Sequence, residues 1–65
     1  MDIGSRIREA RKKVGLTQTG LAMRVGTTQE MISHYESGDD MQVSRLYEIA
    51  KALGARVSEL VGEGE

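Results

Sequence analysis

Sixty-five residues are enough for one small domain and leave no room for a second. The chain has no Cys, which excludes disulfide bonds and thiolate zinc sites, and it has no run of about 20 apolar residues that would form a membrane span. The net charge is −1, but residues 1–34 hold six Arg and Lys against three acids, whereas residues 35–65 hold three against seven. A polyanion-binding surface on one side would produce this asymmetry, and a chance bias of solvated helices is the alternative.

Catalysis and cofactor binding are not expected. The chain is too short for a deep cleft and shows no nucleophile–base pair. Its one histidine, His34, is not expected to bind a metal, because the chain has no second His and no Cys to share the ligation. No small-molecule site is evident, and no secretion signal opens the chain, so we expect a cytoplasmic protein.

The first segment, residues 2–14, has helical periodicity. Its apolar residues fall at spacings of 4, 3 and 4 and form one narrow stripe, Ile3, Ile7, Ala10 and Val14. Arg11 projects just beside this stripe, and Arg8 and Lys12 point well away from it. Gly15 is placed to end the helix.

The second and third segments are two short helices, residues 18–25 and 29–36. Thr17 is a plausible N-cap of the second helix, which ends at Gly26. Either Thr28 caps the third helix, or Thr27 forms a capping box with Glu30, which leaves the start uncertain by one residue.

The remaining helices are residues 43–53 and a short one capped by Ser58. A broad arc of apolar residues predicts that the fourth helix is the most buried one; these are Val43, Leu46, Tyr47, Ile49, Ala50 and Leu53. We therefore predict an all-α bundle of five short helices in one domain, residues 1–61, followed by a frayed polar tail, residues 62–65.

The second and third helices, joined at Gly26, have the pattern of a helix-turn-helix. The two helices must cross steeply and almost touch, which requires a small residue in the first, a Gly in the turn and an aliphatic residue in the second. Suitable residue types stand at all six packing positions, which are Leu21, Ala22, Val25, Gly26, Ile32 and Tyr35.

A series of short motifs runs along residues 3–61. They are Gly15-Leu16-Thr17-Gln18, Leu21-Ala22, Val25-Gly26-Thr27-Thr28-Gln29, Ile32-Ser33, Glu36-Ser37-Gly38, Ile49-Ala50-Lys51-Ala52-Leu53-Gly54 and Val57-Ser58-Glu59-Leu60. Together they resemble the phage Cro/CI-type helix-turn-helix domains of the XRE family, and residues 25–29 resemble lambdoid phage repressors. The resemblance implies a lambda-repressor-like bundle and a bacterial or phage regulator of transcription that binds operator DNA at the nucleoid, usually as a homodimer.

The outward side of the third helix carries hydrogen-bonding groups suited to the major groove. Gln29 can pair with adenine, Glu30 can accept from a cytosine amino group although it would repel phosphates, and His34 can donate to guanine. The family's base-reading positions map onto these three residues and Ser33. The alternative is that the four are plain surface residues.

Contacts with the DNA backbone are implied mainly by the resemblance. In the family, a Gln at the position of Gln18 contacts a phosphate and braces the recognition helix. Lesser candidates, each of which can instead be a cap or turn residue, are Thr17, Thr19, Thr27, Ser37 and the Gly38 backbone. The resemblance also suggests that Arg11 and Glu36 form a partly buried salt bridge, with a phosphate contact by Arg11 as the alternative.

Two features depart from the family pattern or leave it open. Asp39 and Asp40 stand where related domains often place basic residues, and acids near phosphates would weaken DNA binding. A small two-fold dimer patch can be formed near the C-terminus by Arg56, Val57, Leu60 and Val61, although Val57 and Leu60 can equally complete the monomer core. The alternative function is that of an antitoxin-like or coactivator-like protein-interaction module. The residues can also be a fragment of a longer regulator.

Overall fold

The computed structural model describes residues 2–62, which form five α-helices. They are α1 (Ile3–Lys13), α2 (Gln18–Val25), α3 (Gln29–Glu36), α4 (Val43–Leu53) and α5 (Val57–Val61). The prediction of an all-α bundle is confirmed, and none of the helices within residues 2–62 is long and apolar enough to cross a membrane. Of the predicted tail, residues 63–65 lie outside the described residues.

Side-chain caps set the starts of the first three helices. Asp2 accepts a hydrogen bond from the Ser5 N–H at 2.8 Å, so it precedes α1 instead of belonging to it. Thr17 accepts from the Gly20 N–H at 2.9 Å, and Thr28 accepts from the Met31 N–H at 3.2 Å. Thr28 is thus the cap of α3, and the alternative capping box from Thr27 does not form. Such caps each stabilise a helix by about 1 kcal/mol.

The last helix begins earlier than predicted. The N-cap is Arg56 and not Ser58, which is the second residue of α5. The reason lies in Glu59, whose carboxylate accepts a hydrogen bond from the Arg56 N–H at 2.8 Å. A Glu at the third helical position that bonds back to the cap residue starts the helix without a Ser or Thr cap.

The tight turn between α2 and α3 depends on Gly26. Its φ of 84° lies in the left-handed region, where a residue without Cβ is favoured. The N–H groups of Gly26 and Thr27 both donate to the carbonyl of Ala22, at 2.8 and 2.9 Å, so the chain reverses within one turn. The buried core comprises Ile7, Leu21, Ala22, Ile32, Tyr35, Ile49, Ala50, Leu53 and Leu60.

The predicted arc of α4 is wider than its buried face. Val43 and Tyr47 are 67% and 60% exposed, and three of the 11 residues of α4 are buried against three of eight in α3, so the prediction that α4 is the most buried helix is wrong. Only Ile49, Ala50 and Leu53 are buried, because α4 packs against the other helices along one side. Val14 is also half exposed, since it lies at the C-cap, where α1 has ended.

Contact between α1 and α3 requires a glycine at residue 4. A Cβ atom on Gly4 would lie 2.6 Å from the carbonyl oxygens of both Tyr35 and Glu36. The backbones of α1 and α3 therefore approach each other as closely as only Gly permits. This close approach brings the side chains of α1 to the last turn of α3, where the charged residues of the site lie.

Candidate nucleic-acid interface

The outer face of α3 is polar and open to solvent. Gln29, Glu30 and His34 are exposed and Ser33 is half-buried. Residues 29, 30, 33 and 34 form one continuous face because positions four apart stack along a helix. The opposite face is buried through Ile32 and Tyr35. The helix is therefore anchored by its inner side and presents hydrogen-bonding groups outward.

A buried ion pair joins α1 to the end of α3. Arg11 Nε lies 2.6 Å from Glu36 Oε2, and Arg11 Nη2 lies 3.1 Å from Glu36 Oε1. Arg11 Nη1 also donates to the Leu16 carbonyl at 2.8 Å. The Glu36 side chain is fully buried and the Arg11 side chain is 10% exposed. Arg11 is thus engaged in the interior, which favours its structural role over a phosphate contact.

Two glutamines extend this ion pair to the surface. Gln18 Nε2 donates to Glu36 Oε1 at 3.1 Å, and Gln29 Nε2 donates to Gln18 Oε1 at 2.6 Å. A continuous chain of hydrogen bonds therefore runs from Arg11 through Glu36 and Gln18 to the first residue of α3. We name these four residues the Arg11–Gln29 network. The resemblance implied that Gln18 braces the recognition helix, which its hydrogen bond with Gln29 does, but the sequence gave no signal that Gln18 also joins the ion pair.

The network keeps Glu36 ionised. Burial by itself would raise the pKa of Glu36, but hydrogen bonds from Arg11, Gln18 and Arg8, together with the positive charge of Arg11, lower that pKa below its ordinary value of 4.5. A carboxylate that accepts from three side chains is fixed in position. It therefore serves as the anchor on which Gln18 is oriented.

Arg8 does not point away from the core side of α1 as predicted. Its Nε lies 3.4 Å from Glu36 Oε1, while about half of its side chain remains exposed. The long side chain covers the buried carboxylate and keeps part of the guanidinium in water. Arg8 and Arg11 are three residues apart and share one side of α1, which is why both reach Glu36.

The acidic residue Asp39 pairs with the reading face. His34 Nδ1 lies 3.1 Å from Asp39 Oδ2, and both side chains are more than half exposed. The Asp39 N–H donates to the His34 carbonyl at 3.0 Å. The Asp40 side chain, in contrast, forms no hydrogen bond or ion pair within residues 2–62. The two consecutive acids therefore differ: Asp39 is paired with His34, and Asp40 is not.

The backbone-contact candidates lie near the two ends of the motif. Thr19 is exposed at the start of α2, and the Thr17 hydroxyl accepts the cap hydrogen bond from Gly20. Thr27 is half-buried in the turn. Ser37, the C-cap of α3, and Gly38 are exposed beyond its last turn.

The predicted C-terminal dimer patch is mostly used within the monomer. Leu60 is buried and Val57 packs against the core, because α5 lies on α1 and α4. Arg56 is exposed and Val61 is half-buried. The surface that the patch presents to solvent therefore comes from Arg56, Val61 and the exposed part of Val57. Among residues 2–62, no cluster of side chains could hold a metal ion.

The geometry is that of a helix-turn-helix domain, in which α2 supports an outward-facing α3. A family model described as helix-turn-helix matches residues 7–60, and the chain belongs to that family. An "Uncharacterized transcriptional regulator in ATPase CF(0) region" of Rhodospirillum rubrum is 41% identical over 56 residues, which are 85% of this chain and 52% of that protein. The chain thus spans about half the length of that relative.

Two further proteins are similar over most of their length. An "Uncharacterized HTH-type transcriptional regulator" of Archaeoglobus fulgidus is 44% identical over 57 residues, 86% of this chain and 81% of that protein. The P22 c2 repressor, solved in complex with synthetic operator 9T, is 32% identical with a TM-score of 0.87 and is matched over 100% of this chain and 98% of its own. The resemblance to phage repressors is confirmed, as is the lambda-repressor-like fold.

Proposed function

We propose that this chain is a sequence-specific DNA-binding regulator of transcription that inserts α3 into the major groove of duplex DNA. The single observation that carries the proposal is the outer face of α3: it is exposed, polar and held at its first residue by the Arg11–Gln29 network. The names of the relatives, which are transcriptional regulators, and the operator-bound state of the P22 c2 repressor support it.

Gln29 is the residue best prepared to read a base. Its Nε2 already donates one hydrogen bond to Gln18, which leaves the second N–H and the carbonyl oxygen free. These two groups match the N7 acceptor and N6 donor of adenine. Because Gln18 and Glu36 hold the amide in place, little side-chain entropy is lost on binding. Ser33 and His34 extend the reading surface by one helical turn, and Glu30 adds an acceptor.

The N-terminus of α2 binds the DNA phosphates in this proposal. The backbone N–H groups of Gln18 and Thr19 stand at a helix N-terminus, where unpaired donors and the helix dipole favour an anion. Thr27 in the turn and Ser37 with Gly38 after α3 supply further polar groups on either side of the reading helix. The Thr17 hydroxyl can donate outward while its oxygen keeps the cap.

A double variant tests base reading. Replacing Gln29 and Ser33 by Ala is expected to reduce discrimination at the contacted base pairs by about tenfold or more, since a good bidentate pair contributes about 1–3 kcal/mol. Selection of bound duplexes from a random pool, followed by titration, measures this. The matched control is Gln42→Ala with Ser44→Ala, because Ser44 in α4 and Gln42 just before it are both exposed, and Gln42 makes no side-chain cap bond.

The control variant should keep the wild-type sequence preference, and both variants should keep the wild-type melting temperature. Binding should fall steeply as salt rises, because phosphate contacts release counterions. If titration with the selected duplexes shifts no NMR signals of α3, the proposal is wrong. Absence of salt-sensitive DNA binding, together with binding of a protein through residues 35–65, which carry seven acids, would instead favour the interaction module.

We propose a homodimer on a palindromic operator as the bound form, with half-sites about one helical turn apart. The apolar surface left open for it includes Val43, Tyr47 and Val61, since Leu60 is committed to the core. Val43 and Val61 border the same groove, which also includes Ile3. Sedimentation with and without selected DNA measures the assembly; one protein chain per palindromic duplex would contradict it.

A further inference from the structure

Asp39 lies where it can decide what His34 recognises. We propose that Asp39 is a specificity-determining positioning residue, which holds neutral His34 with its proton on Nδ1 so that Nε2 reads a base as a hydrogen-bond acceptor. The inference rests on the proposed function, since it concerns which base α3 selects. It also accounts for an acid where related domains often carry basic residues, since an unpaired carboxylate near phosphates would weaken DNA binding.

The end of α3 fixes Asp39 beside His34. The Asp39 N–H donates to the His34 carbonyl at 3.0 Å, and the Gly38 N–H donates to the Tyr35 carbonyl at 3.1 Å. This pair of bonds, with Gly38 at a φ of 100°, is the Schellman arrangement that ends many helices. The backbone of Asp39 is thus tied to the residue whose ring its carboxylate contacts, with Oδ2 at 3.1 Å from Nδ1.

The chemistry of the pair determines the tautomer. A carboxylate has no proton to give and only accepts, so Nδ1 must be the donor in this hydrogen bond. In a neutral imidazole the other nitrogen then carries no proton and is an acceptor. Nδ1 and Nε2 are separated by one carbon and direct their hydrogen bonds away from each other, and the His34 side chain is 59% exposed. Asp39 contacts Nδ1 alone, and in this proposal Nε2 is the nitrogen that meets the base.

The tautomer predicts a base class. In the major groove, the adenine N6 and cytosine N4 amino groups are donors, whereas guanine and thymine present only acceptors among their polar groups. An acceptor Nε2 favours adenine or cytosine at the position it faces and disfavours guanine. The sequence suggested that His34 donates to guanine, and the pairing with Asp39 points to the opposite preference for the neutral ring.

The first test measures the tautomer in the free protein at pH 8, without DNA. Two-bond and three-bond ¹H–¹⁵N correlations distinguish the tautomers, and the assignment is unambiguous because the chain has one His. We expect the Nδ1–H form in the wild type and a loss of this form in Asp39→Ala. Asp40→Ala is the matched control, since it removes the same charge one residue away and should leave the ring unchanged. An Nε2–H ring or a doubly protonated ring in the wild type overturns the inference.

The second test selects duplexes at pH 8 with the wild type and the same two variants. We expect the wild type to prefer adenine or cytosine over guanine by about tenfold at one position of each half-site. This preference should fall to about twofold or less in Asp39→Ala and in His34→Ala, and it should persist in Asp40→Ala. Unchanged selection by Asp39→Ala overturns the inference while the proposed function stands. If no variant and no wild-type protein selects a duplex, the proposed function fails and the base readout fails with it, whereas the tautomer remains a measured property of the fold.

Discussion

Replacing Glu36 by Gln is expected to lower the free energy of unfolding by about 3–5 kcal/mol, the cost of leaving one charge of a buried pair without its partner. Arg11 would remain in the interior with the Leu16 carbonyl and one neutral amide oxygen to accept from it, and without a negative charge beside it. A domain of this length has a total stability of about 3–10 kcal/mol, so the substitution should remove a large share of it. Urea denaturation followed by circular dichroism measures the loss.

A surface ion pair provides the matched control. Arg45 and Glu48 lie 3.2 Å apart on α4, and more than half of the Glu48 side chain is exposed. Glu48→Gln makes the same chemical change and should cost less than about 1 kcal/mol. Replacing Arg11 by Met together with Glu36 by Leu should recover most of the stability, because no buried charge then remains. Equal losses for Glu36→Gln and Glu48→Gln would show that the buried pair is unimportant.

The same pair makes stability depend on acid. Because the pKa of Glu36 is lower in the folded state than its ordinary value of 4.5, the unfolded state binds more protons as the pH falls. The contribution of Glu36 is present above about pH 4.5 and is lost as the pH falls through its folded-state pKa. Melting temperatures between pH 7 and pH 3 should thus fall more steeply in the wild type than in the double variant Arg11→Met with Glu36→Leu.

Asp2 does not alter the comparison of acid profiles between the wild type and the double variant. Hydrogen bonds from Ser5 lower the pKa of Asp2 as well, but Asp2 is present in both proteins and its contribution cancels. Parallel acid profiles in the two proteins would contradict the role of Glu36 in acid sensitivity.

The features that the sequence predicted well depend on neighbouring residues. The starts of α2 and α3 follow from Thr17 and Thr28, whose hydroxyls bond to N–H groups three residues on. The end of α2 follows from Gly26, because glycine is the residue type that adopts the left-handed conformation easily. The spacing of Ile32 and Tyr35 gives the buried side of α3. The residues that are not on this side form its polar outer face.

The features that the sequence did not reveal depend on how helices approach one another. Nothing local to Gln18 indicates that its amide lies between Glu36 and Gln29, which are 18 and 11 residues away. Asp39 looked like an acid facing phosphates because its pairing with His34 requires the backbone geometry that ends α3. Val43 and Tyr47 fit a helical stripe, but periodicity does not tell how wide the packed face is.

Gly4 is the residue whose importance the sequence concealed most, and Gly4→Ala is expected to destabilise the protein by about 1–3 kcal/mol through overpacking. In most helices the change from Gly to Ala is favourable by up to about 1 kcal/mol. Here the new Cβ atom would lie 2.6 Å from two backbone carbonyl oxygens of α3, and backbone cannot rotate away as a side chain does. One of these oxygens, on Tyr35, also accepts the Gly38 N–H that ends α3.

Gly20→Ala is the control that separates the two effects, because it makes the same change inside α2. Its Cβ atom would meet only side-chain atoms: Leu16 Cδ2 at 3.4 Å, and Thr17 Oγ1 at 3.2 Å, which has to shift by a few tenths of an ångström while it keeps the cap hydrogen bond from the Gly20 N–H. Helix propensity should then prevail, and the variant should gain up to about 1 kcal/mol. Thermal and urea unfolding of both variants should give changes of opposite sign. A Gly4→Ala protein as stable as the wild type would mean that α1 and α3 can separate without cost, and the buried contact of Arg11 with Glu36 would then need another explanation.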